Sequence, residues 1–262
     1  MHTFKHNDLT LEYTIQGTGI PFVFIHGLGG NTTQIQSVYQ PIDGIQLIAI
    51  NMQGHGNSEI DPLTLNFSSM ADDVIYLLNL LQIEKAYFGG ISMGVAISTN
   101  IAIRYPNYVM ELICIRPAWT HKAMPKNVQQ AYTDLAKALS ENSKENFLTS
   151  IGWQIVSQTT NYTRNTFLTT FEEEINVKQW QKFSILPNQV PYTSIDDLKQ
   201  LQIPTTIIAC RNDFVHPYEY AEEYHQYIPN SILIEIPNKD VDPKLHNQII
   251  NTVLKERLKV NP

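Results

Sequence analysis

Two short stretches that alternate between apolar and polar residues, 3–6 and 9–15, flank Asn7-Asp8. Both of those residue types tolerate the positive φ of a tight hairpin turn. After Gly17-Thr18-Gly19 the pattern changes to short continuous apolar runs at 22–25, 47–50, 86–88 and 112–115. Runs of that length, apolar at every position, predict strands buried on both faces. Between them, residues 33–39, 69–81 and 93–104 have helical character. In the second of these, Met70, Val74, Leu77, Leu78 and Leu81 form one apolar stripe, Ser68 or Ser69 is the expected cap, and Asp72 and Asp73 suit the positive end. Strand and helix alternation predicts an α/β fold class, a mostly parallel central sheet with helices on both faces.

The alternation stops at Arg116-Pro117 and resumes at Ile203-Pro204. Residues 118–197 contain no strand-like run, but aromatic residues recur through them and all three tryptophans (Trp119, Trp153, Trp180) lie there. This predicts a sheet domain made of residues 1–117 and 198–262, interrupted by a helical insertion at 118–197. Most of its rings are expected to pack with one another, some to face the sheet domain. The triplet Glu172-Glu173-Glu174 reads as a solvated helix face. The sheet pattern then returns with a strand at 205–210, a helix at 218–227, a strand at 232–236 and a closing helix to Lys259.

Composition narrows the function classes. With 43% hydrophobic and 16% charged residues in 262, the chain is neither disordered nor a coiled coil. Its net charge of −7, with no run of basic residues, makes nucleic acid and anionic membrane poor partners. Cys114 and Cys210 both sit in apolar runs, which predicts buried thiols and no disulfide framework. The first eight residues lack a basic segment followed by an apolar one, so no secretory signal is expected and a cytoplasmic location is the default. The uncharged run 86–103 is interrupted by Gly89, Gly90, Ser92 and Gly94. It reads as a strand, a turn and a helix rather than a membrane span.

The strongest chemical signal is Gly90-Ile91-Ser92-Met93-Gly94. A serine held at a sharp strand-to-helix turn needs small residues two before and two after it. Here both are glycine, with a strand predicted directly before and a helix directly after. The following helix also turns the positive end of its dipole toward the serine, which favours an oxyanion there.

With these residues in place the chain resembles the α/β-hydrolase superfamily. His26-Gly27-Leu28-Gly29-Gly30 ends the first parallel strand, Gly54-His55-Gly56-Asn57-Ser58 follows the second, and the helical insertion falls where that family carries its cap. The resemblance implies a Ser, acid, His triad in that chain order, and no metal or organic cofactor. It implies an oxyanion hole from the backbone N–H groups of Leu28 and Met93, with His26 and His55 bracing their loops. Where the family often has Asp-x-Arg before Gly-His-Gly, this chain has Asn51-Met52-Gln53, a change expected to affect bracing rather than chemistry. Asp213, in Arg211-Asn212-Asp213-Phe214-Val215-His216-Pro217, matches the family's acid loop.

The histidine is harder to place. The register that many family members fill with Gly-His reads Pro237-Asn238-Lys239-Asp240-Val241, and His246 follows five residues later. Residues 116–119 and 213–217 are similar to a subgroup whose histidine is displaced toward the last helix. On that basis His246 is the expected base, lying in the loop before a helix capped by Asn247; a start at Asp242 and Pro243 is the other option. His216 and His225 are the alternatives. His216 would have to turn across the acid loop to reach Ser92, and His225 reads as a surface or packing residue. The implied activity is serine hydrolysis of a small, apolar or aromatic acyl substrate: an ester, thioester, lactone or amide, or a carbon–carbon bond in a diketone. A perhydrolase would use the same triad. Val241 at the usual histidine register motivates a different class, a catalytically silent ligand-binding protein on the same fold.

Overall fold

Asn7 and Asp8 both take positive φ, 47° and 65°, and fold β1 (His2–His6) back onto β2 (Leu9–Gln16). The structure, a computed structural model, describes residues 1–258; Lys259, the expected end of the closing helix, lies outside them. Six further strands complete the sheet: β3 (Ile20–Ile25), β4 (Ile45–Asn51), β5 (Ala86–Ile91), β6 (Val109–Ile115), β7 (Thr205–Ala209) and β8 (Ser231–Glu235). The order is β1-β2-β4-β3-β5-β6-β7-β8. β2 runs antiparallel to β4, and every pairing from β4 to β8 is parallel.

The continuous apolar runs are explained by two cores, one on each face of the sheet. Val23, Ile25, Ile48, Ile50, Phe88, Leu112 and Cys114 point to the side of α2 (Phe67–Leu80) and α3 (Met93–Arg104). Phe22, Phe24, Leu47, Ala49, Ile113 and Ile115 point to the side of α1 (Thr32–Val38) and the C-terminal helix. Both cysteines are buried and free. α2 starts earlier than the serines suggest. Asn66 is its cap, accepting the Ser69 N–H at 2.9 Å, while the Asn66 N–H donates to Ser69 Oγ at 3.1 Å. Phe67 is thereby taken into the helix and buried.

Between β6 and β7 the chain is helical: α4 (Lys126–Ser140), α5 (Lys144–Leu148), α6 (Ile151–Val156), α7 (Asn161–Thr169), α8 (Glu174–Lys178), α9 (Gln181–Ile185) and α10 (Ile195–Lys199). Its rings mostly pack together, with Phe147 stacked on Phe167 at 6.0 Å and Phe167 against Tyr132 at 5.1 Å. Trp119 instead meets Phe67 of α2 edge-on at 5.3 Å, tying the segment to the sheet's core. α11 (Tyr218–Tyr227) and α12 (Pro243–Arg257) follow β7 and β8. Among the described residues no helix is long and apolar enough to cross a membrane.

The order β4-β3-β5 places the strand that follows β3 on one side of it and β5 on the other. In such sheets the loops at the strands' carboxyl ends part at this switch point and leave a crevice between them. Here Ile25 lies opposite Gly90, so residues 26–30 and Ser92 leave the sheet side by side.

Candidate active site

Ser92 takes φ 56° and ψ −110° between β5 and α3, a conformation that side chains rarely adopt. Packing holds it there. A Cβ on Gly90 would lie 2.1 Å from the Gly94 carbonyl carbon, and one on Gly94 would lie 2.1 Å from the Ile25 oxygen. Glycine at both positions lets helix and strands close around the turn. The Ser92 N–H donates to the Ile115 carbonyl at 3.0 Å, which leaves Oγ at the crevice. Met93 begins α3 and Leu28 lies in the loop after β3; among the described residues neither N–H has a hydrogen-bond partner.

The two histidines near these loops are braces. The Met52 N–H donates to His26 Nε2 at 3.1 Å, and His26 Nδ1–H donates to the Gly27 carbonyl at 2.8 Å. The Gly29 N–H donates to His55 Nε2 at 3.0 Å, and His55 Nδ1–H donates to the Gln53 carbonyl at 2.9 Å. Both rings must be neutral to accept these bonds. Burial pushes His26 down to about 4 and His55 well below its ordinary value. Asn51 and Gln53 take up the bracing: Asn51 Nδ2 donates to Glu12 at 2.9 Å and Gln53 Nε2 to Asp73 at 2.6 Å.

Asp213 follows β7 by way of Asn212, which has φ 58°. Its Oδ1 accepts the backbone N–H groups of Val215 and His216, each at 3.3 Å, so the chain turns back over its own carboxylate. That turn carries the His216 ring inward. Its Nδ1–H donates to Asp213 Oδ1 at 2.9 Å, and Ser92 Oγ–H donates to its Nε2 at 2.9 Å. Asp213 Oδ2 accepts from Arg116 Nε at 2.9 Å and Nη2 at 2.5 Å. Burial would raise the Asp213 pKa, but the His216 and Arg116 charges and hydrogen bonds override it and hold the carboxylate well below its ordinary range. His216 is also lowered, by burial first and then by the Arg116 charge, against the pull of Asp213. An imidazole so held is neutral at physiological pH and able to take the hydroxyl proton.

These residues line one cavity of about 70 Å³, walled also by Leu28, Tyr132, Tyr162 and Phe167. Among the described residues no group of His, Cys, Asp or Glu side chains is arranged to hold a metal ion.

Ser92 and Asp213 thus come together as the sequence predicts, but His246 does not join them. Asp242, not Asn247, caps α12, its Oδ1 accepting the Leu245 N–H at 2.8 Å with Pro243 in the first turn. His246 is thereby drawn into that turn, where its Nδ1–H donates to the Pro237 carbonyl at 2.7 Å. Its Nε2 is buried without a partner, and burial first of all pushes the ring down to about 4. The place expected for His246 is taken by His216, the alternative from the acid loop itself. The pattern Asp-x-x-His-Pro carried the clue, since aspartate readily bonds backbone N–H groups two or three residues on. His225 pairs with Ser231 Oγ at 3.0 Å near the surface. The Arg116 contact with Asp213 was not foreseen; the signal was a charged residue directly after the apolar run 112–115 and just before a proline.

Residues 20–240 match the family model described as alpha/beta hydrolase fold. The chain belongs to the alpha/beta hydrolase family. It is 24% identical over 242 residues to the AB hydrolase superfamily protein YisY of Bacillus subtilis (strain 168), covering 85% of each chain. It is 28% identical over 227 residues to Lipase 3 of Moraxella sp. (strain TA144), covering 83% of this chain and 70% of the relative. Among solved structures, the enol-lactonase from Burkholderia xenovorans LB400 superposes with a TM-score of 0.75 at 16% identity, over 97% of this chain and 98% of that one. Family and relatives together support a hydrolase.

Proposed function

We propose that the protein is a serine hydrolase in which His216, rather than His246, completes the set with Ser92 and Asp213. The supporting observation is the unbroken hydrogen-bonded chain from Ser92 Oγ through His216 to Asp213. Ser92 Oγ attacks an acyl carbonyl as its proton passes to His216 Nε2. The resulting oxyanion is held by the Leu28 and Met93 N–H groups, which need not reorient as charge develops. His216 then gives its proton to the departing alcohol or amine, and water repeats the cycle to release the acid and free Ser92. Asp213 fixes the tautomer with Nδ1 protonated.

The cavity bears on substrate size. At about 70 Å³ it is roughly half the ~150 Å³ that takes up benzene in an engineered protein core. It fits a short aliphatic acyl group of an ester, lactone or thioester better than the aromatic acyl group that the aromatic-rich insertion suggested. The helical segment between β6 and β7 supplies Tyr132, Tyr162, Thr163, Thr166 and Phe167 to the lining, which supports its role as a cap over the site. The ligand-binding reading loses its motive. Val241 is 80% exposed and a histidine reaches Ser92 from elsewhere.

A fluorophosphonate probe, with p-nitrophenyl acetate turnover alongside, tests this. The wild type is expected to label, and Ser92→Ala to lose labelling entirely. His216→Ala should lose on the order of 10⁴-fold or more in kcat, as when the base of a serine triad is removed, while His246→Ala stays within about tenfold of wild type. No labelling of wild type, or an equal loss in both histidine variants, would overturn the assignment.

A further inference from the structure

Arg116 stands where β6 ends, its side chain 93% buried, in a protein whose acid loop already gives Asp213 its histidine partner. Its backbone is fixed in the left-handed region at φ 55°, with its N–H donating to the Ile208 carbonyl at 2.7 Å. The neighbouring Ile115 carbonyl accepts the Ser92 N–H, so the sheet edge sets arginine and serine in one frame. From there the guanidinium forks onto Asp213 Oδ2 through Nε and Nη2, and Nη2 also lies 3.1 Å from His216 Nδ1. Since Nδ1 carries the hydrogen that Asp213 accepts, Nη2 makes no hydrogen bond to it. The contact brings a permanent cation against a ring that becomes cationic each time it takes the Ser92 proton.

We propose that Arg116 is a positioning residue for this site, which clamps the Asp213 carboxylate beside the His216 ring and at the same time offsets its negative charge. This rests on the reading of Ser92, His216 and Asp213 as the catalytic set. A lone buried aspartate would stabilise the imidazolium and raise the histidine's pKa; a clamped ion pair does so much less. The groups that act on His216 are Asp213 in its own loop, Arg116 after β6 and Lys239 in the loop after β8. Two of the three are cationic. Tyr162 of α7 lies under the Arg116 guanidinium at 5.4 Å and accepts from Lys239 Nζ at 3.3 Å, and the His246 ring of α12 donates to the Pro237 carbonyl at 2.7 Å. Removing the Arg116 charge therefore leaves Lys239 as the cation among these groups that opposes the pull of Asp213 on the ring.

The test is a titration of the His216 ring by NMR, assigned with His216→Gln, in wild type, Arg116→Met and Arg116→Lys, with kcat and KM measured against pH on p-nitrophenyl acetate. Arg116→Met is expected to raise the His216 midpoint by roughly one unit or more, the size typical of gaining or losing one adjacent charge. The acidic limb of kcat/KM should move up with it, and kcat should fall with little change in KM. Arg116→Lys keeps the charge without the fork, so its midpoint should stay near wild type while kcat drops. An unchanged His216 midpoint in Arg116→Met, with native near-UV circular dichroism, would overturn the role. Should Arg116→Met not fold, a Lys variant with wild-type kcat would overturn the clamp. A wild type without hydrolytic activity would refute the catalytic reading alone, because the ring titration reports the charge effect whether or not turnover occurs.

Discussion

A methyl group on residue 94 would stand 2.1 Å from the Ile25 carbonyl oxygen, on a β-strand that cannot give way without moving its neighbours. Gly94→Ala is therefore expected to lower stability by about 2–4 kcal/mol, comparable with other severe overpacking changes, and to turn Ser92 away from the probe. Urea unfolding and fluorophosphonate labelling check the two effects, and wild-type values for both would show that the turn has room to spare. This part of the site was legible in the sequence because its constraints are local: two glycines, a serine, and a strand and helix on either side. Asp213 was legible for a similar reason, with only Arg211 and Asn212 between it and the expected strand end at Cys210. The histidine was not. Whether His216 or His246 reaches Ser92 depends on how a turn folds over a carboxylate and where a helix begins, and both residues are close enough in sequence to be plausible.

Helix boundaries decided that outcome. Asp242 starts α12 four residues before His246, and the helical bond from the His246 N–H to the Asp242 carbonyl at 3.0 Å holds the ring in the first turn. The apolar stripe read from the sequence begins only at Ile249, so periodicity marked the buried face and missed the polar first turn. At α9 the packing is costly. Lys182 is fully buried, its Nζ bonds one carbonyl, that of Gln179 at 3.1 Å, and burial pushes its pKa down to about 7. Below pH 7 the folded chain holds a buried ammonium. Between about 7 and 10.5 the folded lysine is neutral while the unfolded one remains charged, so the unfolded state binds more protons and stability rises with pH. Lys182→Met should accordingly be more stable than wild type by about 1–3 kcal/mol at pH 6, with the gap closing toward pH 10. Chemical denaturation at the two pH values measures it, and an equal gap at both would mean the ammonium is solvated in the folded protein.

Across the whole molecule, several histidines are folded neutral. His26 and His246 titrate at about 4, and His55 and His216 are also lowered, all with burial as the leading cause. Between about pH 6.5 and 4 the unfolded chain binds protons that the folded chain does not, so stability falls as pH falls through that window. His26 and His246 each contribute up to about 1.4 kcal/mol per pH unit within it. The depressed Asp213 extends the loss to lower pH, where the unfolded carboxylate becomes protonated first. Thermal midpoints from pH 7.5 to 4.5 should drop steeply, and His246→Gln should flatten the slope; a flat wild-type profile would show that these rings are accessible to protons when folded. The alternation of strands and helices, the fold class, the helical interruption and the serine turn were readable along the chain because each is written in periodicity or in adjacent residues, and the acid loop was readable through the family resemblance. Which histidine meets Ser92, and the grip of Arg116 on Asp213, emerge only from the folded arrangement. Those contacts join loops after β5, β6 and β7, and their meeting depends on strand order and side-chain direction, which a single chain read in line does not encode locally.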